Sequence, residues 1–173
     1  MEEVASYLRA FKLVQGFLRN PSGLPINVRL LSDAHLLLTY AARGSSKQPG
    51  KLRRSQNWVG GSRPGRAVFV PPPPDCVGPL LGDMEQFIHA GTNLPPLVKI
   101  ALVHVQFETI HPFLDGNGRI GRLLITALLE LFGLLPEPLV YLSGYSKQYQ
   151  AEYYRRLSNV GTEGDLKGWV TFF

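Results

Sequence analysis

Apolar residues recur at the helical interval over most of this chain, and the places where that rhythm breaks divide it into segments. In residues 2–19, Val4, Tyr7, Leu8, Phe11, Val14 and Leu18 share one side of a helix and leave a polar back. This predicts an amphipathic helix with those residues turned inward. Asn20, Pro21, Ser22 and Gly23 break it. Asn27 then caps a predicted second helix through Leu30, Leu31, Ala34, Leu37, Leu38 and Ala41, closed by Gly44. His35 on that helix reads as structural rather than catalytic.

A polar, basic loop follows to Ser55, and after it the period changes. Trp58 and Val59 on one side, and Ala67, Val68, Phe69 and Val70 on the other, flank a turn-rich segment. That arrangement predicts a β-hairpin over about 57–70, with edges that could pair with an extended peptide. Pro71 to Pro74 must be extended, because consecutive prolines cannot form a helix interior. Residues 77–90 return to the helical period with Leu80, Leu81, Met84, Phe87 and Ile88 inward, and Gly91 ends the run. The next helix, from Pro95 or Pro96 to Ile110, is apolar almost all round, so it is expected to be central and buried. His104 on it reads as a hydrogen-bonded core residue. A second central helix is predicted from Ile120 to Phe132, ended by Gly133. Ser143 then caps a helix through Tyr149, Tyr153, Tyr154 and Leu157 to about Val160, and residues 165–173 start one more amphipathic turn that stops on Trp169, Phe172 and Phe173. So apolar an ending predicts either a truncated chain or a covering neighbour. The fold expected is all-α: one domain over 1–173, with two buried central helices joined by a loop and a small hairpin beside them.

Composition narrows the classes. With 173 residues, 45% hydrophobic and 18% charged, the chain suits a globular domain rather than a disordered one. No apolar stretch is long and pure enough to span a bilayer, and the start Met1-Glu2-Glu3 is unlike a signal peptide, so a cytoplasmic location is the expectation. The lone Cys76 cannot form an internal disulfide, and nothing around it marks a nucleophile. Between Asp33 and Asp75 lie Arg43, Lys47, Lys51, Arg53, Arg54, Arg63 and Arg66 with no acid, so the net charge of +5 is concentrated on one flank. Only Trp58 and Phe69 interleave with those cations, which argues for a solvated or docking face rather than a nucleic-acid site. No His-Glu-x-x-His or paired-cysteine pattern is present, so a zinc site is rejected.

The chemistry gathers between the two central helices, in His111-Pro112-Phe113-Leu114-Asp115-Gly116-Asn117-Gly118-Arg119-Ile120-Gly121-Arg122. Gly116, Asn117 and Gly118 tolerate positive φ, so their N–H groups could turn inward as an anion-binding concavity at the start of the next helix. Arg119 and Arg122 are three apart and project one way, on a stripe continued by Thr126 and Glu130. Asp115 offers a hard oxygen ligand suited to a Mg²⁺ that bridges phosphates. His111 at the loop entrance is the one side chain there that titrates near neutrality. Together these groups suit phosphoryl or nucleotidyl transfer. Each alone has a plainer explanation, since Asp-Gly-Asn-Gly is an ordinary turn and His before Pro can simply end a helix. Two arginines in a first helical turn weigh against that plainer reading, because the dipole there favours acids unless an anion is bound.

This twelve-residue stretch resembles the signature of the Fic (Fic/Doc) family, His-Pro-Phe-x-Asp-Gly-Asn-Gly-Arg-x-x-Arg, at every specified position. The stretches Gln56 to Gly61, Phe69 to Pro74, Leu94 to Leu97 and Glu152 to Tyr154 are similar to those of bacterial Fic proteins that carry an inhibitory helix. The resemblance implies a protein adenylyltransferase that moves AMP from ATP to a Ser, Thr or Tyr hydroxyl of a target protein. It makes His111 the base, Asp115 the Mg²⁺ ligand and Gly116, Asn117, Gly118, Arg119, Ile120, Gly121 and Arg122 the ATP-binding loop, with the Asn117 side chain on the α phosphate. It also implies that Tyr145, Tyr153 and Tyr154 are candidates for the wall against adenine, and that Val68, Phe69 and Val70 form a flap that docks the target. Relatives with related motifs transfer UMP, phosphate or phosphocholine, and a non-catalytic nucleotide- or peptide-binding module is the further alternative. The family's inhibitory pattern, Ser/Thr-x-x-x-Glu-Gly/Asn, does not occur in this sequence. That predicts activity, self-modification included, without an activating mutation, or restraint by a separate inhibitory partner or missing segment.

Overall fold

The computed structural model describes residues 2–20, 26–39, 48–60, 64–135, 144 and 148–173. Among these, the regular structure is helical: α1 Glu2–Arg19, α2 Val28–Thr39, α3 Pro74–His89, α4 Pro96–Ile110, α5 Asn117–Leu131, α6 Gln150–Glu163 and α7 Leu166–Phe172. The 3₁₀ turn Pro64–Arg66 is the remaining element.

The all-round apolarity of α4 has a direct structural reading, because the helix separates two cores. On one side Ile100, Val103, Phe107 and Ile110 join Ala10, Val14, Leu30, Leu38, Leu81, Met84, Ile120, Leu124 and Leu128 in the main core, drawn from α1 to α5. On the other side Ala101 and Val105 pack against Trp169, with Tyr153, Leu157 and Val160 around them. Trp169 is fully buried and its indole N–H donates to the Ala101 carbonyl at 2.8 Å. That bond satisfies the indole's polar group inside an apolar cluster. Asp165 caps α7 by accepting from the Gly168 N–H at 2.8 Å, and Gly164, at φ 69°, ends α6 in the left-handed region.

Several boundaries differ from the periodicity. On α1 the buried positions are Ser6, Ala10 and Val14, with Tyr7, Phe11 and Leu18 half-buried, whereas Val4 and Leu8 are 64% and 50% exposed. The buried face of α1 thus runs through the small side chains at 6 and 10, with Val4 and Leu8 turned outward. The predicted cap at Asn27 is present, accepting from the Leu30 N–H at 2.8 Å. The predicted ends of the second helix at Ala41 and Gly44, and the Ser143 cap, lie outside the described residues. Pro74 is the first residue of α3, where its missing N–H costs nothing, so only Pro71 to Pro73 are extended. α5 starts three residues earlier than predicted, at Asn117, and α6 runs three residues past Val160.

The hairpin is the larger correction. Among the described residues its pairing is one isolated antiparallel bridge between Val59 and Phe69, in which the Val59 N–H donates to Phe69 O at 2.9 Å and both Val68 and Phe69 donate to Val59 O. On the side away from the turn, pairing ends for a physical reason: Pro71 to Pro73 have no N–H to donate.

Candidate active site

The loop between α4 and α5 is built on backbone groups that would otherwise be left unpaired. α4 ends at His111, which adopts φ 48° and ψ 60°, a left-handed cap on a non-glycine residue. The four consecutive carbonyls of residues 110 to 113 are each taken by a donor from the segment 53–57. Arg53 donates from Nη2 to Ile110 O at 3.2 Å, from Nε to His111 O at 2.9 Å and from its backbone N–H to Pro112 O at 2.9 Å. Asn57 Nδ2 reaches Phe113 O at 3.1 Å.

From below, Phe113 is buried and stacked on the His35 ring, with centroids 3.9 Å apart and planes within 4°. The Gly50 N–H donates to His35 Nδ1 at 2.9 Å, so the proton of the neutral ring sits on Nε2, which donates to Asp115 O at 2.9 Å. Burial pushes the His35 pKa down, in keeping with that neutral tautomer. His35 is thus structural, as its place on α2 suggested, and what it holds is the motif loop.

Asn117 closes the loop from within. Its Oδ1 accepts from the Phe113 N–H at 2.9 Å and its Nδ2 donates to Phe113 O at 2.8 Å. The side chain is buried and both of its polar atoms are engaged, so it ties the loop together rather than facing a phosphate. Of the three predicted nest residues, only Gly116 has positive φ, at 79°, and a Cβ there would press on His35 and Thr39 at 3.3 Å. Asn117 and Gly118 are already helical. Arg119 and Ile120 both donate to Gly116 O at 3.1 Å. Among the described residues nothing accepts from the N–H groups of Asn117 and Gly118, so the anion-binding feature is a helix N-terminus rather than a strained nest.

Charged groups surround that N-terminus. Asp115 is exposed, and its Oδ1 accepts from the Gly116 N–H at 2.7 Å. Arg119 and Arg122 are half-buried, and an Arg122 Nη1 lies 3.4 Å from where a Gly118 Cβ would be, so this guanidinium folds back over the first turn. The predicted stripe divides further along α5. Thr126 donates to the Arg122 carbonyl at 3.1 Å, whereas Glu130 accepts from Arg19 of α1 at 2.8 Å and from Gln15 at 3.3 Å. The His111 imidazole is half-buried. Burial pushes its pKa down to about 4; the Glu108 backbone opposes this and the Arg53 charge adds to it.

Beneath Arg122 lies a polar cluster in which His104 is the hydrogen-bonded core residue expected from the sequence and Glu108 is the member that the sequence reading missed. His104 is buried, with Nε2 2.8 Å from the Tyr153 hydroxyl, and burial drives its pKa down to about 3. Glu108 is pushed up to about 7 by burial, against the pull of Arg122, and its Oε1 has no partner among the described residues. Gly121 makes room for this carboxyl, since a Cβ at 121 would collide with Glu108 Oε1 and touch His104. Glu108 follows the helical interval from His104, yet within an otherwise apolar run nothing in its spacing marks it as buried.

Residues 25–129 match the model of the Fic/DOC family, more than half of the chain. The chain belongs to that family. Among curated proteins it is 35% identical over 125 residues to the Protein adenylyltransferase Fic of Drosophila willistoni, covering 71% of this chain and 22% of that protein. The Drosophila melanogaster protein of the same name is 34% identical over 125 residues, with 71% and 23% covered. The chain therefore spans less than a quarter of the length of these relatives. Among solved structures, a Fic family protein from Desulfovibrio desulfuricans G20 superposes with a TM-score of 0.79 at 30% identity, over 98% of this chain and 48% of that one. Fic-1 from C. elegans shares the fold, with a TM-score of 0.74 at 24% identity over 99% and 46% of the two chains.

Within the Fic motif, then, the structure sets Asp115 near enough to His111 for their charges to interact, and lays Arg122 over the first turn of α5 at Gly118. It does not bring Ile120 or Gly121 to the surface of that turn. The Ile120 side chain is fully buried in the main core, and Gly121 faces Glu108 and His104. Tyr153 is likewise committed to the interior by its bond to His104 and its edge-on packing against Trp169, with centroids 5.7 Å apart. Tyr154 is 52% exposed, and Tyr145 lies outside the described residues. Of the predicted flap, Val68 and Val70 are exposed and Phe69 is half-buried.

Proposed function

We propose that this Fic protein transfers AMP from ATP to a hydroxyl side chain of a protein target and releases pyrophosphate. One observation carries the reading: the half-buried His111 imidazole at the end of α4 precedes a helix N-terminus whose first two N–H groups have no acceptor among the described residues and over which the Arg122 guanidinium folds. In that arrangement the hydroxyl oxygen of the target attacks the α phosphorus, the bond to the pyrophosphate oxygen breaks, and the hydroxyl proton passes to a ring nitrogen of His111. The N–H groups of Asn117 and Gly118 bind oxygens of the polyphosphate, where the helix dipole also favours negative charge. Arg119 and Arg122 take the charge of the leaving phosphates.

The donor set also fits Mg²⁺. Asp115 presents an exposed carboxylate with one oxygen held by the Gly116 N–H, the single hard ligand that a phosphate-bridging ion needs. When bound, the ion neutralises phosphate charge. No group of three or more His, Cys, Asp or Glu residues able to hold a metal occurs among the described residues, so the substrate's phosphates would complete the coordination. Of the proposed adenine wall, Tyr154 is exposed and can pack against the base, with Tyr145 the other candidate. The exposed arm Val68 to Val70 offers backbone groups to an extended target segment. No helix among the described residues is long and apolar enough to cross a membrane.

The test is transfer of label from ATP to protein in the presence of Mg²⁺ and lysate. Label at the α phosphate should be retained on target protein and label at the γ phosphate should not, with a mass increase corresponding to AMP. His111→Ala should lower the rate at least ~10²-fold, the usual worth of a general base. Near-normal transfer by His111→Ala would contradict the assignment.

A further inference from the structure

We infer that Arg53 is a positioning residue for His111: it clamps the end of α4 in the left-handed conformation that aims the imidazole, and fastens that cap to the arm leading to the flap. The inference rests on the transfer reading above and adds a part that lies outside the motif.

The placement of this side chain is unusual for an arginine. It is only 2% exposed, and among the described residues no carboxylate lies within 4 Å of it. A buried cation without a counter-ion is costly unless other groups replace its hydration. Here carbonyl oxygens do so. Nη2 donates to Pro72 O at 2.6 Å and Ile110 O at 3.2 Å, Nε to His111 O at 2.9 Å, and Nη1 to Ser55 O at 3.4 Å. Two of those carbonyls close α4, where the helix dipole is negative, so the charge is suited to its site without any acid.

The consequence falls on one residue. A non-glycine side chain at φ 48° is strained and persists only where its surroundings fix it. At His111 the fixing contacts are the N–H bond to Phe107 O, the Arg53 Nε bond to its own carbonyl, and the Arg53 backbone bond to the next carbonyl, Pro112 O. Two of the three come from Arg53. The same guanidinium holds Pro72, immediately beyond the exposed arm, while Gln56 Nε2 holds Pro71 O at 2.8 Å and Asn57 Nδ2 holds Phe113 O at 3.1 Å. Base and flap are therefore tied to one planar group. A lysine could supply the charge but not the forked set of donors that spans three chain segments.

Arg53→Met and Arg53→Lys separate positioning from general support of the fold. For Arg53→Met, kcat for AMP transfer should fall ~10²-fold, the scale of a displaced catalytic group, while Kd for a non-hydrolysable ATP analogue stays at the wild-type value. Arg53→Lys should recover part of that loss. Backbone chemical shifts of His111, which report positive φ, should move in Arg53→Met and move less in Arg53→Lys; this readout needs no turnover. Loss of kcat and nucleotide binding in equal proportion would overturn the inference, as would unmoved His111 shifts in Arg53→Met. If Arg53→Met fails to fold, a wild-type rate in Arg53→Lys with displaced His111 shifts would overturn it too. Absence of AMP transfer in the wild type, together with His111 shifts that respond to Arg53, would refute the transfer reading and uphold the clamp.

Discussion

Burial keeps the imidazoles of His104 and His111 neutral in the folded protein, at about 3 and about 4, against an unfolded value near 6.5. For His111 this sets the acidic limb of catalysis. The rate should hold nearly level as pH drops through 6.5 and fail only toward pH 4, which a kcat/KM profile would show; a limb centred near 6.5 would contradict the burial argument. The same depression makes a stability statement. Both groups bind protons more readily when unfolded, so their contribution is intact above about pH 6.5 and is lost as pH falls through that value toward 3.

Glu108 works in the opposite sense. Raised to about 7 from 4.5, its carboxyl prefers the protonated folded state, so its contribution is intact below about pH 4.5 and is lost as pH rises through 7. Glu108→Gln should therefore gain stability relative to wild type between pH 5 and pH 8, by of order 1–3 kcal/mol at the upper end. Thermal unfolding at the two pH values measures this, and an equal Tm difference at both would rule it out. The sequence could mark His111 because a histidine between an apolar run and a proline stands out. It could not mark Glu108, Arg53 or His35, whose roles come from partners far along the chain: Gly121, the carbonyls of 110 to 112, and Asp115.

At the level of elements, α4, the loop and α5 are the part most openly written in the sequence. Proline at the first turn, apolarity all round and glycine past the end are local signals, and they place the two central helices to within about a turn. The loop's inner bracing is less legible. Asn117 looks like a turn residue exposed to a ligand, yet its amide pairs with both backbone groups of Phe113. Asn117→Ala leaves the buried Phe113 N–H without a partner and should cost about 1–3 kcal/mol, read from denaturant unfolding. A loss near zero would mean that the amide faces the ligand after all. The flap was over-read for a similar reason. The apolar run at 67–70 satisfies a strand pattern, but prolines immediately after it remove the donors that a further pairing on that side would require. The face of α1 was misjudged because Ser6 is polar by type and buried by position.

Across the whole molecule, α4 is the shared wall of two cores, and this divides the expected consequences of mutation. Trp169→Ala empties the smaller core and removes the bond to Ala101 O, a loss of about 3–5 kcal/mol by the usual cost of truncating a buried aromatic. Hydrogen exchange should then quicken in α6 and α7 first, while amides of α1, α2 and α5 keep their protection; uniform loss of protection would show that the two cores do not separate. The apolar end of the chain reads from the sequence as a truncation or a face awaiting a cover. Trp169 instead finds that cover within the chain, against Ala101 and Val105. The basic flank also changes meaning in three dimensions, since Arg53 is interior and bound to carbonyls while Arg54 and Arg66 remain exposed.

The central claim is that polyphosphate lies on the N-terminus of α5 with the His111 imidazole facing its α phosphorus. A crystal structure with Mg²⁺ and a non-hydrolysable ATP analogue measures it directly. The predicted result is phosphate oxygens ~2.7–3.2 Å from the Asn117 and Gly118 amides. The Arg119 and Arg122 guanidinium groups should lie on the terminal phosphates, and the His111 ring should face the α phosphate. A nucleotide seated elsewhere, or an imidazole turned into the packed interior, would contradict it.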